Sequence, residues 1–159
     1  MKYRMVIQAN QNEMFHVFME NFRDEYFMEK GKILPIEKIK KGFTFQKNIS
    51  RDKRKKQQRR ATVKVLDFQC PSLYKVEYIS DRYRKITGVM MNQLDNNRLE
   101  IILEEIMDKS VIDEHGKSEW IPQISASDEI KKASWWKKFQ YKYLARSIKL
   151  KKKKEEKNK

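Results

Sequence analysis

Residues 61–107 read ATVKVLDFQCPSLYKVEYISDRYRKITGVMMNQLDNNRLEIILEEIM, and the spacing of their apolar side chains decides the fold class. Val63 and Val65 alternate with polar neighbours, after which Leu66 and Phe68 take up the opposite phase, a change that predicts a β-bulge. Tyr74, Val76 and Tyr78 define a second strand over residues 73–80. Ile86, Gly88 and Met90 define a third over 83–94, and Leu99, Ile101 and Leu103 a fourth over 98–107. The connections Cys70-Pro71-Ser72, Ser80-Asp81-Arg82 and Asp95-Asn96-Asn97 are rich in turn formers. Joints this short join antiparallel neighbours, so the stretch is a meander and not a parallel βαβ sheet.

Working outward, residues 43–50 add another strand, with Phe43, Phe45 and Ile49 on one face. Before it, Pro35 and Gly42 bracket a short helix over 35–41. Residues 11–30 form a long helix. Asn10 and Glu13 supply a capping-box-like start, Gly31 a stop, and Met14, Phe15, Phe18 and Phe22 a stripe at helical spacing. Residues 2–9 alternate Tyr3, Met5 and Ile7 with polar side chains, as a strand with one buried face does. Downstream, 108–126 is a polar stretch too long for a turn, anchored by Trp120 and Ile121. Ser127, followed by Asp128 and Glu129, then opens a long helix. On it Trp135, Trp136, Phe139, Tyr143 and Leu150 share one face, and Lys131, Lys138, Lys142 and Lys149 the opposite one.

The 159 residues carry 37 Lys+Arg against 22 Asp+Glu, a net charge of +15. Their placement says more than their sum. Residues 51–60 (RDKRKKQQRR) have a net +6 and residues 149–159 (KLKKKKEEKNK) a net +5, eleven of the fifteen charges together. Neither run holds enough apolar side chains to pack, so the first reads as a solvated loop. The expected organisation is one domain over residues 1–150 and a disordered basic tail over 151–159. One cysteine cannot form an internal disulfide, and no apolar run reaches the roughly 20 residues that span a bilayer. A cytoplasmic location follows.

The chemistry-bearing residues are sparse. His16, His115 and Cys70 give no zinc-ligand spacing, and four separated glycines give no phosphate loop, so no metal or cofactor is expected. Glu104 and Glu105, adjacent on a strand, face opposite ways. One of them pointing into a closed cavity could exchange protons, while both solvated or ion-paired would be structural. No catalytic constellation is visible, which leaves enzymatic activity open and favours a binding role.

The order strand, helix, short helix, five antiparallel strands, long helix is similar to the helix-grip fold of the START-like (SRPBCC) superfamily. More narrowly, LPIEKIKKGFTFQK (34–47), PSLYKVEYIS (71–80), LEIILEEI (99–106) and KYLARSIKLKK (142–152) resemble a small bacterial family known as domain of unknown function 3284. The resemblance implies an α+β fold: a curved antiparallel sheet of about six strands wrapped around the long C-terminal helix. It also implies a gap between sheet and helix in which such folds hold apolar or amphipathic small molecules. The side chains expected to line or to fill that gap are Tyr74, Tyr78, Met90, Leu103, Trp136, Phe139 and Tyr143. Two alternatives use the surplus charge. Arg51, Lys53, Arg54, Lys55, Lys56, Arg59 and Arg60, with the basic C-terminus, could contact nucleic-acid phosphates. The last helix could instead lie on an anionic membrane surface, which requires its aromatic face to be free.

Overall fold

Alternation in the central stretch folds into the meander it predicts. In the computed structural model, which describes residues 1–49, 59–125 and 129–157, the elements are β1 (Lys2–Gln8), α1 (Gln11–Lys30), a 3-10 turn (Ile36–Lys38), β2 (Thr44–Asn48), β3 (Arg60–Gln69), β4 (Leu73–Ile79), β5 (Tyr83–Gln93), β6 (Arg98–Ile112), β7 (Ser118–Ile124), β8 (Ile130–Lys132) and α2 (Trp135–Lys157). The architecture is α+β, with a curved, mostly antiparallel sheet and a C-terminal helix. The strands run in the order β2-β3-β4-β5-β6-β1-β8, and β7 pairs with the far half of β6. Only β1 and β8 pair in parallel among the described residues.

One face of this sheet is apolar throughout. Register places Phe45 opposite Val63, Val65 opposite Val76, Tyr74 opposite Val89, Met91 opposite Ile101, and Met5 and Ile7 opposite Ile101 and Leu99. The bulge falls between Val65 and Asp67, where the phase changes. Helix α1 covers this face with Met14, Phe15, Met19 and Phe22, all buried. Phe22 sits at the centre of an aromatic cluster, its ring 5.5 Å from Tyr74 and 5.7 Å from Phe45. Burying side chains of this size stabilises by about 1.5–3 kcal/mol each. The Asn10 side chain accepts from the Glu13 amide at α1's start, and Gly31 ends it at φ +62°.

Five expectations are corrected. The sheet has eight strands among the described residues, two more than about six: β8 is one, and β7 is the other because residues 108–124 are not a loop. β6 runs on and turns back as β7. This hairpin is largely wet on both faces, so no buried alternation marks it; its turn is set by Asp113, whose carboxylate accepts from the His115 and Lys117 amides, and by Gly116 at φ +77°. The 35–41 helix is only the 3-10 turn Ile36–Lys38. Ile39 is buried and its backbone is already extended on the way to β2. The last helix starts at Trp135, not after Ser127. Ser127 and Asp128 lie outside the described residues, Ile130–Lys132 is strand, and Ser134 caps the helix through its carbonyl and hydroxyl. Residues 151–157 continue α2 as helix, where a disordered tail was expected. Lysine and glutamate are good helix formers, and Lys152 is ion-paired to Glu13 of α1. Finally, the helix against the sheet's apolar face is α1. α2 buries only Ala145 and rests on the core through Tyr141 and Ile148.

The outer face carries ion pairs. Arg84 donates to Glu77 at 2.7 Å and to Asp108 at 3.4 Å. Asn92 donates to Glu100 at 3.0 Å while Arg4 pairs with its other oxygen, and these bonds hold the Glu100 carboxyl below the usual range.

Candidate functional site

The seven side chains expected to face one gap are dispersed over three places. Tyr74 and Tyr78 lie on the inner face, Tyr74 buried against Phe22 and Tyr78 half-buried, and Leu103 lies on that face opposite Val89. Met90 points out of the other side of the sheet and is 42% exposed. In β5 the core takes Val89 and Met91, so the phase read from Ile86, Gly88 and Met90 is the outer one. Trp136, Phe139 and Tyr143 stand on the outward side of α2 at 67, 46 and 66% exposure. The set therefore does not form one wall.

The tyrosines have partners of their own. Tyr78 donates from its hydroxyl to Glu25 Oε2 at 3.3 Å, and Lys47 Nζ lies 3.2 Å from the same oxygen. Burial, and then the Glu25 carboxylate, push the Tyr78 phenol well above its ordinary pKa. Burial does the same to Tyr74. This small cluster joins α1, β2 and β4 at the rim of the core. Sequence spacing could not pair Glu25 with Tyr78, which is 53 residues away.

α2 presents two other surfaces. Its inner side is short: Tyr141 stacks on Phe18 at 5.7 Å, and its phenol pKa is pushed up to about 12 by burial. Its outward side is an aromatic stripe. Trp135 lies 5.0 Å from Trp136 and 5.4 Å from Phe139, ring centre to ring centre, and Tyr143 and Leu150 continue the stripe in water. Between α1 and α2 an open groove of about 550 Å³ is lined by Phe18, Asn21, Phe139, Gln140, Tyr141, Tyr143 and Leu144. On the other flank Lys138, Lys142, Arg146 and Lys149 line a groove against β1. The lysines therefore flank the aromatic stripe instead of opposing it, because the true opposite face is taken up by Tyr141, Ala145 and Ile148 against the core.

The basic loop gives less. Arg51, Lys53, Arg54, Lys55 and Lys56 lie outside the described residues. Arg59 and Arg60 lead into β3, and the Arg59 carbonyl accepts from the Ile49 amide at 2.9 Å. Glu104 faces outward between Lys2 and Lys75, and Glu105 lies 3.7 Å from Lys85, so both carboxylates are ion-paired. His16 is exposed on α1 and His115 in the β6–β7 turn. Among the described residues no cluster of three or more His, Cys, Asp or Glu could hold a metal ion, and no helix is long and apolar enough to cross a membrane.

The exposed outward face of α2 is the feature that sequence reasoning misplaced, having set it against the sheet. Its signal was the absence of a second apolar stripe. The core-facing side of α2 offers only Tyr141, Ala145 and Ile148, and lysine or arginine stands at 10 of its 23 positions.

No curated protein matches the chain. The model of the family described as Domain of unknown function (DUF3284) matches residues 1–120, which takes in β1 to the start of β7 and stops short of α2. With three quarters of its length matched, the chain belongs to the DUF3284 family.

Proposed function

We propose that the protein is a peripheral binder of anionic membrane surfaces, docking through the outward face of α2. The observation that carries this reading is the exposed stripe of Trp135, Trp136, Phe139 and Tyr143 on a helix whose flanks carry Lys142, Arg146, Lys149, Lys153 and Lys154. Helices that lie in the membrane interface have this construction, with an aromatic face entering the headgroup boundary and cations beside it. An aromatic side chain offers roughly 150–250 Å². Burying half of it at about 25 cal/mol/Å² favours docking by about 2 kcal/mol per residue. Each Lys or Arg close to an anionic leaflet adds about 1 kcal/mol. The reading places the protein in the cytoplasm, on the leaflet that bears anionic lipids.

The test is sedimentation with phosphatidylcholine vesicles with and without phosphatidylglycerol. Binding that needs the anionic lipid and moves the tryptophan emission to the blue supports the reading. Equal binding to DNA or heparin would show a generic polyanion surface, and a concentration-dependent dimer that hides the tryptophans from quencher would show that a second copy covers the stripe. Either outcome overturns it.

A second reading keeps the START-like, helix-grip analogy: a small apolar or amphipathic molecule lodged beside the C-terminal helix. It is supported by the groove between α1 and α2, whose volume of about 550 Å³ lies in the range of small-molecule sites and whose lining includes the expected Phe139 and Tyr143. Mass spectrometry of an organic extract of the purified protein tests it; a stoichiometric small molecule is the supporting result, and none is the opposing one.

A further inference from the structure

We infer that the groove between α2 and β1 is a binding site for a phosphate monoester or diphosphate group, held by Lys142, Arg146 and Lys149. The groove has a volume of about 350 Å³, and its remaining walls are Val6, Ile7 and Gln8 of β1, with Lys138 and Arg98. Five of its eight lining residues are cations and none is a carboxylate. Several cations of the sheet, by contrast, have a carboxylate beside them: Arg84 has Glu77 and Asp108, Lys75 has Glu104, and Arg4 has Glu100. On α2 itself Lys152 is paired to Glu13, and in the groove Arg98 is paired to Asp95. Lys138, Lys142, Arg146 and Lys149 have no ion pair among the described residues.

Their spacing makes the absence of carboxylates costly. Lys138, Lys142 and Arg146 follow one another at four-residue intervals and Lys149 three residues later, so all four occupy one edge of the helix. Like charges at that spacing destabilise a helix. Val6 and Ile7 form a low-dielectric wall opposite them, which concentrates the field of one-signed charge into the groove. An anion between helix and strand relieves the repulsion. A phosphate monoester or diphosphate suits it best, since the guanidinium of Arg146 offers two parallel donors to a tetrahedral oxyanion while the lysines act as point charges. The site lies on the flank of α2 away from Trp136; it shares Lys142, Arg146 and Lys149 with the membrane reading and differs from it in needing none of the aromatic rings. A soluble molecule and a lipid headgroup offer the same phosphate chemistry, and the experiment separates them.

The experiment is calorimetric titration of the full chain with inorganic pyrophosphate, together with sedimentation on phosphatidylcholine vesicles containing either phosphatidic acid or phosphatidylglycerol at equal surface charge. K142Q/R146Q should weaken pyrophosphate binding at least tenfold. K151Q/K154Q, which removes the same charge elsewhere on α2, should change it less than twofold, and circular dichroism melts check that both variants fold. Preference for phosphatidic acid that K142Q/R146Q abolishes assigns a headgroup; saturable pyrophosphate binding without that preference assigns a soluble phosphate. No saturable pyrophosphate binding, or equal losses in the two variants, overturns the site. W136S/F139S separates the two proposals, since it should lower vesicle binding and leave pyrophosphate binding intact.

Discussion

α1 and α2 are both long and both carry aromatic side chains at helical spacing, yet they stand in opposite relations to water. α1 presses Phe15 and Phe22 into the sheet until 1 and 3% of each is exposed, and its polar side faces out. α2 follows the short edge strand β8 and lands beside β1, where only Tyr141, Ala145 and Ile148 find the core. Its tryptophans are left outside. An aromatic stripe is met by an apolar neighbour inside the molecule for one helix and faces solvent for the other. The sheet has one apolar face, and α1 occupies it.

The sharpest way to break this comparison is to truncate one ring on each helix. Phe22→Ala should lower the unfolding free energy by about 3–5 kcal/mol, as emptying a core site does, whereas Trp136→Ala should change it by less than about 0.5 kcal/mol. Denaturant midpoints read both. If the tryptophan variant loses as much as the phenylalanine one, the stripe is covered in solution.

Next in size, W136S/F139S should cost on the order of a thousandfold in affinity for anionic vesicles, about thirtyfold for each ring withdrawn from the interface. Sedimentation measures it, and an unchanged affinity would leave charge alone as the attraction.

Glu100→Gln belongs to the sheet's outer face and should destabilise by about 1–2 kcal/mol through weakened bonds to Arg4 and Asn92. Because Glu100 titrates lower in the folded protein than when unfolded, its contribution is complete above the unfolded carboxylate pKa and fades as pH falls toward the folded value. Acid titration of the wild type should show that loss, and the variant should lack it.

A cap change is smaller. Asn10→Ala removes the acceptor of the Glu13 amide and should cost about 1 kcal/mol in thermal unfolding, all of it on α1.

The last effect, confined to alkaline pH, probes where the helices touch. Tyr141 titrates near 12 folded and near 10 unfolded, so its neutral form stabilises the fold fully below pH 10, and stability falls as pH rises from 10 toward 12. Tyr141→Phe should flatten that part of an alkaline stability curve. An unchanged curve would place the alkaline loss on Tyr74 and Tyr78 instead.

Much of this was legible without coordinates. The inner-face set Val63, Val65, Tyr74, Val76, Leu99 and Ile101, the bulge after Val65, and both caps of α1 follow from period and turn chemistry. Met90 and Met91 show the limit. Two adjacent methionines satisfy either phase of β5, and only pairing with Ile101 put Met91 inside. The hairpin of β6 and β7 was hidden for another reason: strands wet on both sides need no alternation. The cationic groove joins residues of β1, Arg98 and α2, whose separation along the chain exceeds anything spacing can relate.

The sequence by itself determined the strands and the long first helix over the first hundred residues, and that most of the net charge belongs to two runs poor in apolar side chains. Periodicity and turn residues are local properties, and each strand's choice of face follows from them. Only the tertiary structure decided which helix fills the sheet, because an apolar face can be buried once. With α1 already seated on it, the aromatic stripe of α2 had to remain at the surface, and its cations had to line the edge of β1.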